Sequence, residues 1–341
     1  MYKRQADTSF DVTVTGTDNA GNPFSETTTS VHGVDTAASA TISVDAITTD
    51  DIVNAAESAD NINVTGSVGG DAAPGDTVSF TVNGTNYSGT VAADNSFSIS
   101  VAGSDLAADS SFDVTVTGSD NAGNPFSETT TSVHGVDTTA SATISVDAIT
   151  ADDIVNAAES AGNINVTGTV GGDAAPGDTV SFTVNGTNYS GTVAADNSFS
   201  ISVAGSDLAA DTSFDVTVTG TDTAGNPFSE TTTSVHGVDT TASATISVDA
   251  ITTDDLVNAV ESTGNINLTG SVGGDAAPGD SVSFTVNGTN YSGTVGAVNT
   301  YSIAVSGSDL AADTSFDVTV TGTDTAGNPF SETTTSVHGV D

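Results

Sequence analysis

In the stretch that begins at Ser111, Phe112, Val114 and Val116 alternate with Asp113, Thr115 and Thr117. That two-residue period marks a strand with one face in a core and one in water. Applied to residues 36–137, the same pattern predicts seven strands: Ala40–Val44, Ile62–Val68, Thr77–Val82, Thr85–Val91, Ser96–Val101, Phe112–Thr117 and Phe126–Val133. Asn83-Gly84 joins the third and fourth as a tight hairpin. Seven short strands in about 100 residues match an antiparallel β-sandwich of immunoglobulin type.

The pattern repeats. The string S-F-D-V-T-V-T-G starts at Ser9, Ser111, Ser213 and Ser315, a constant spacing of 102, and G-V-D closes at Asp35, Asp137, Asp239 and Asp341. A period near 100 is a whole domain rather than a solenoid unit of about 20 to 45 residues. The expected organisation is therefore a partial copy over 1–35 and complete copies at 36–137, 138–239 and 240–341. The partial copy supplies the last two strands of a truncated domain behind a start that does not resemble the repeat. A lone hairpin is marginal in water, so poor definition or mispairing is expected there. The fold class is all-β: tandem immunoglobulin-like antiparallel β-sandwiches, expected end to end as a rod on the order of 100 Å for three copies.

Charge sharpens this picture. Of 341 residues, 44 are Asp or Glu and two are basic, for a formal charge of −42. Both basic residues, Lys3 and Arg4, sit in the first five positions. A nucleic-acid groove, an anionic-membrane patch and an arginine phosphate clamp are excluded for the remainder; the implied partner is a cation. There is no cysteine, so each core rests on Val, Ile, Phe and Leu without a disulfide. No window is apolar for long enough to span a membrane, and the start shows no signal peptide. The chain reads as a piece of something longer.

The acids concentrate in loops and linkers. In immunoglobulin topology the first loop and the exit of the last strand share one end, and the turn between the last two strands lies at the other. Stacking would then gather three elements per junction: Asp51, Asn54 and Glu57, the linker acid Asp137, and the next copy's turn with Asp222 and Asn226. The spacing of Asp51, Asn54 and Glu57 lets their oxygens converge if the loop makes a helical turn. Two carboxylates about 4 Å apart repel by roughly 4 kcal/mol at an effective dielectric near 20. Ca²⁺, which takes six to eight oxygens in a tolerant geometry, would reverse that sign. The alternative is that the acids are solvated charge. Asp71, Asp76, Asp105 and Asp109 flank turns and suit local backbone bonds, and Asp94 and Asp196 correspond to Val298.

On these residues a resemblance rests. The V-D-T-T linker at Val136–Thr139, the D-D-x-x-N-A-A-E loop at Asp152–Glu159, the V-N-G hairpin at Val184–Gly186 and the D-x-A-G-N turn at Asp222–Asn226 resemble the bacterial immunoglobulin-like extender repeats of giant calcium-dependent repeats-in-toxin biofilm adhesins, including marine ice-binding ones. The resemblance covers residues 6–341. It implies an extracellular stalk at the bacterial surface, secreted by a type I system and anchored through other parts of its parent protein. It also implies Ca²⁺ between neighbouring repeats, and separate distal domains that bind the surface ligand. By motif match, Asp153, Asn156, Glu159, Asp239, Asp324 and Asn328 are the second junction's implied ligands, with Asp35, Asp120, Asp255 and Glu261 at the corresponding places of the outer copies. Linkers of that family often continue V-D-T-T-A-P. Here Ser141 and Ser243 follow the alanine, so calcium must do more of the stiffening or the joint is softer.

Other functions fit less well. No enzyme is expected: His32, His134, His236 and His338 occupy one equivalent place, expected solvent-facing beside the linker, and no serine is marked as a nucleophile. A carbohydrate- or protein-binding module would need exposed aromatic platforms, for which Tyr87, Tyr189 and Tyr291 are the candidates. Ice binding by Thr13, Thr15 and Thr17 and their repeats is a remote third reading, because alternating threonine already follows from β-propensity. No small-molecule substrate, nucleic acid or membrane insertion is implied.

Overall fold

The computed structural model describes residues 8–341; Lys3, Arg4 and the unlike start of the partial copy lie outside the described residues. By contact the chain divides into two compact units. One runs to Ala140 and includes Asp222–Asn226; the other comprises Ser141–Thr221 and Pro227–Asp341.

The first unit opens with a hairpin of β1 (Ser9–Thr17) and β2 (Pro23–Val31). A complete sandwich follows, with β3 (Ala40–Val44), β4 (Ile52–Val53), α1 (Ala55–Ala59), β5 (Asn61–Gly70), β6 (Thr77–Val82), β7 (Thr85–Thr90), β8 (Ser96–Ala102), α2 (Gly103–Ala108), β9 (Ser111–Ser119), β10 (Pro125–Val133) and β11 (Gly135–Val136). One sheet has the order β3-β5-β8 and the other β10-β9-β6-β7, every pair antiparallel. Alternation turns one side of each strand inward. Val64, Phe97, Ile99 and Val101 from the first sheet meet Val78, Phe80, Phe112, Val114 and Val116 from the second in one core. Gly66 stands opposite Phe97 in the register, and a Cβ there would strike the Phe97 ring and the Ser43 carbonyl. The small residue lets the ring lie flat on the strand.

Three features were not legible as periodic signals. β4 pairs in parallel with β11, returning the end of the copy to its first loop; two-residue strands carry no period. α2 buries Leu106 completely, yet six residues are too short for a helical pattern. Asp105, read as a turn residue, instead takes the Tyr87 hydroxyl at 2.6 Å and Asn83 Nδ2 at 3.1 Å, tying the hairpin tip to α2. Tyr87 also stacks on Phe80 with ring centroids 5.8 Å apart, so it packs rather than offering a platform.

The expectation for the histidines is corrected. His134, His236 and His338 are buried, at 5 to 6% exposure. On β10, Phe126 faces inward, so residues at even steps follow it: Ser132 and His134 turn in, while Val133 is 65% exposed. His134 Nε2 lies 2.9 Å from the Leu106 carbonyl, which only accepts, so Nε2 carries the proton. The ring meets Phe112 edge-on at 6.2 Å.

β1 and β2 pair in the register of β9 and β10, with Ser9 opposite Val31 as Ser111 is opposite Val133. The mispairing expected there is not found. Its apolar face stays open, with Phe10, Val12 and Val14 exposed by 55, 50 and 58%. Outward threonines pair across strands, as in Thr115 with Thr129 at 2.9 Å.

The second unit repeats the sandwich twice, with the same two sheet orders in each copy, and in the last copy a 3₁₀ turn at Glu261–Thr263 stands in place of the first short helix. Its last copy has Tyr301 where the others have Phe97 and Phe199; the phenol donates to the Ser247 carbonyl at 2.8 Å, and burial pushes its pKa far up.

Leu106 and Leu208 seal equivalent cores with no exposed surface. Leu208→Ala is expected to destabilise its repeat by about 2–5 kcal/mol, read as an earlier transition in denaturant unfolding of the full chain; a loss below about 1 kcal/mol would contradict this packing.

Candidate functional site

The loop before α1 is built by its own acids. Ile47 and Val53 are buried and anchor it. Between them Asp51 takes a left-handed conformation (φ 61°), a region that Asp tolerates better than most residues. Its Oδ1 accepts the Ile47 N–H at 2.9 Å. Asp50 accepts from the Thr48 hydroxyl and from the Ile52 N–H, at 2.9 and 3.2 Å; the Thr48 hydroxyl bond, first, and the Ile52 N–H hold its carboxyl below the usual range. α1 then begins with a capping box: Asn54 Oδ1 accepts the Glu57 N–H at 2.9 Å, and Glu57 Oε2 accepts the Asn54 N–H at 3.0 Å. A helical turn spanning Asp51 to Glu57 is therefore not formed. The helix starts after Asn54, and Asp51 sits before it in a different conformation.

The linker acid arrives along β11. Asp137 N–H donates to the Val53 carbonyl at 3.1 Å, which sets Asp137 beside the loop. The third element, Asp222–Asn226, is a turn closed on itself: Asp222 Oδ1 accepts the N–H groups of Ala224 and Asn226 at 2.9 and 2.8 Å, and Oδ2 accepts Asn226 Nδ2 at 2.8 Å. The Asn226 side chain, ahead of the backbone donors, holds Asp222 below the usual carboxylate range.

These three elements do meet, and the contact is made by an amide. Asn226 is only 3% exposed. Its Oδ1 accepts the Ala55 N–H at 2.7 Å and its Nδ2 donates to the Asp137 carbonyl at 2.9 Å. Asn54 Nδ2 in turn donates to the Ala224 carbonyl at 3.0 Å. The second unit holds the same arrangement. Asn156 caps Ala157–Ser160 with Glu159, and Asp153 is again left-handed with Oδ1 on the Ile149 N–H. Asn156 Nδ2 reaches the Ala326 carbonyl at 3.0 Å, Ala157 N–H reaches Asn328 Oδ1 at 2.7 Å, and Asn328 Nδ2 reaches the Asp239 carbonyl at 2.9 Å. In the outer copies the sets are partial. Asn124, bonded to Asp120, donates to the Asp35 carbonyl at 3.2 Å. Asp255 (φ 59°) and Glu261, which accepts the Asn258 N–H at 3.0 Å, shape the last loop.

The expected metal ligands therefore divide by chemistry. The side-chain oxygens of Asn54, Asn156, Asn226 and Asn328 are taken by backbone N–H groups. Asp222 and Asp324 have both carboxylate oxygens engaged in their own turns. Among the described residues, Asp51, Glu57 and Asp137 each use one oxygen, on Ile47, Asn54 and Thr139, and make no hydrogen bond with the other; Asp153, Glu159 and Asp239 do likewise. Among the described residues, no three acidic or histidine side chains stand close enough together to grip a metal. The groups that sequence reasoning missed are the Ala55 N–H and Ala224 carbonyl, since backbone partners leave no mark in residue identity.

Because hydrogen bonding lowers the Asp324 pKa from 3.8, its contribution to the turn is complete above 3.8 and lost as pH falls through the lower folded value. The Asn328 side-chain amide signals are expected to shift with a midpoint below 3.8, and Asp324→Asn to abolish the step; a midpoint at or above 3.8 would contradict the turn.

Two solved structures are similar over most of the chain. One, of a Ca²⁺-stabilised adhesin that helps an Antarctic bacterium reach out and bind ice, is 51% identical, covers 98% of this chain and 82% of its own, and has a TM-score of 0.70. The other concerns host cell surface retention of a 1.5-MDa bacterial ice-binding adhesin. It is 46% identical over 90% of this chain and 99% of its own, with a TM-score of 0.85. No family model and no curated relative matches.

Proposed function

Because this chain belongs to the immunoglobulin-like extender repeats of large bacterial adhesins, we propose that it is a stalk segment. It holds a distal binding domain away from the cell surface in adhesion and biofilm formation, and Ca²⁺ stiffens its joints. The supporting observation is the meeting of loop, linker acid and following turn through Asn226 and again through Asn328. A spacer needs such joints more than it needs a ligand pocket. The similar structures are adhesin repeats rather than enzymes, and the histidines other than His32 are buried against Phe side chains. Export by a type I system and anchorage through other parts of a longer parent belong to the same reading.

The donor set suits calcium. All candidate groups are hard oxygens, and a carboxylate with one oxygen fixed and one free can turn to an ion while keeping its loop in place. In the first unit Asp51, Glu57 and Asp137 would hold the ion, and in the second Asp153, Glu159 and Asp239. The ion supplies positive charge that offsets the mutual repulsion of these acids. Their free oxygens must draw together to take it.

At about 100 times its dissociation constant an ion that binds only the native state adds about 2.7 kcal/mol per site. Melting and small-angle scattering of the full chain in chelator, millimolar Mg²⁺ and millimolar Ca²⁺ test the proposal. A calcium-selective rise in melting temperature with a narrower range of particle dimensions is expected. Equal responses to both ions would mean diffuse screening, and no response would overturn the calcium reading.

A further inference from the structure

The outer face of the four-stranded sheet carries a polar hollow in every complete copy. On β6, alternation buries Val78, Phe80 and Val82 and turns Ser79 and Thr81 outward. In the register Ser79 lies between Ser88 of β7 and Thr115 of β9, and Thr81 lies opposite Asn86. These side chains and Asp113 of β9 line an open concavity of about 470 Å³. The next two copies hold hollows of about 470 and 530 Å³, lined by the same residue types. The short serines form the floor, with the longer Asn86 and Asp113 beside them.

The two strongest groups are held in place by threonines. Thr81 Oγ1 donates to Asn86 Oδ1 at 2.7 Å, which fixes the amide and leaves Nδ2 as a donor. Thr131 Oγ1 donates to Asp113 Oδ1 at 2.7 Å, which leaves Oδ2 as an acceptor. The same pair of bonds, at 2.6 to 2.7 Å, orients Asn188 with Asp215 and Asn290 with Asp317. Among the described residues, Asn86 Nδ2, Asp113 Oδ2 and the Ser79 and Ser88 hydroxyls make no hydrogen bond.

Neighbouring strands lie about 4.8 Å apart, so β7 and β9 stand roughly 10 Å from each other across β6. A fixed donor thus faces a fixed acceptor over a gap that a six-membered sugar ring with its hydroxyls bridges. Each sugar hydroxyl both gives and takes a hydrogen bond, which suits a donor, an acceptor and two hydroxyls together. A cationic group would meet Asp113 but oppose the Asn86 amide N–H groups. An anion would face Asp113 and a chain of formal charge −42. Tyr87 spends its ring face on Phe80, so a ligand here is held by hydrogen bonds alone, and weakly.

We propose that this hollow is a binding site for neutral saccharide, one per complete repeat. Asp113 accepts from, and Asn86 donates to, the hydroxyls of one sugar unit. A polysaccharide long enough to reach two such hollows binds more tightly than its single sugar. The inference goes beyond the stalk reading and does not rest on it, because each hollow lies within one copy.

Side-chain amide signals of the isotope-labelled full chain test the site during titration with dextran, with galactomannan and with anionic alginate, each in chelator and in millimolar Ca²⁺. At least one of the two neutral polysaccharides is expected to shift the Asn86, Asn188 and Asn290 amides in both conditions, with a dissociation constant per site on the order of 1 mM; alginate is not. Asp113→Asn, Asp215→Asn and Asp317→Asn together keep an acceptor for each threonine but turn the free acceptor into a donor. Retention on a column of the polysaccharide that binds is expected to fall roughly fivefold or more, with melting unchanged. Asn86→Ala, Asn188→Ala and Asn290→Ala together serve as a second set should the first fail to fold. No shift with either neutral polysaccharide, equal shifts with alginate, or full retention of a folded variant set would overturn the proposal. Shifts that need Ca²⁺ would point instead to an ion-bridged contact, and shifts that grow with protein concentration alone to a second copy of the chain; either would also overturn it.

Discussion

A buried amide must have its donors and acceptor met, because leaving one orphaned costs about 1–3 kcal/mol, more than a typical bond returns. Asn226 and Asn328 are buried to 3% exposure in contacts that neither the loop nor the turn could supply alone. The requirement runs in both directions. The asparagine fixes where the loop and linker must be, and an unformed joint leaves its polar groups to water. With net values of about 0.5–1.5 kcal/mol per bond, the bonds around one such residue are comparable to the repulsion between carboxylates held about 4 Å apart, roughly 1 to 4 kcal/mol from water to an effective dielectric near 20. Neither term dominates, which is the condition under which a bound cation would matter. The longer-range part of the repulsion is damped within about 8 Å at physiological ionic strength.

The sandwich serves this joint by holding its ends. Val53, with no exposed surface, pins the first loop to the core, and β4 with β11 carries the linker back to it. The buried His134 ring, held by the Leu106 carbonyl and by Phe112, fixes the end of β10 two residues before β11 ends at Val136. Asp51 and Asp153 adopt left-handed backbone there because their side chains return to the N–H groups of Ile47 and Ile149. Acids that look like surplus charge in the composition are in large part acceptors for backbone donors: Asp76 takes the Ala73 N–H, Asp71 the Ser39 N–H, and Asp222 two N–H groups of its own turn.

The sheets were legible because their signal is carried by side chains with a period of two, and the Asn83-Gly84 hairpin because its turn demands those residues. The junction was legible as a gathering of three elements, since loop order in an immunoglobulin topology fixes which ends meet. Its mechanism was not. Asn54 and Asn226 were expected to offer oxygens to an ion, whereas their oxygens accept backbone N–H groups; an amide is ambiguous between donor and acceptor until its neighbours are placed. The histidines were misplaced because their place beside the linker suggested solvent, when Phe126 sets the parity of the strand and puts Ser132 and His134 inside. The short helix at Gly103–Ala108 was hidden by its length.

Amide hydrogen exchange in chelator, on segmentally labelled full-length chain, reads the central contact directly. Ala55 and Ala157 each donate to a buried asparagine, whereas Ala259, at the same place in the last copy, makes no such bond among the described residues. Strong protection at Ala55 and Ala157 with fast exchange at Ala259 is the expected result; equally fast exchange at all three would contradict a joint built on these amides.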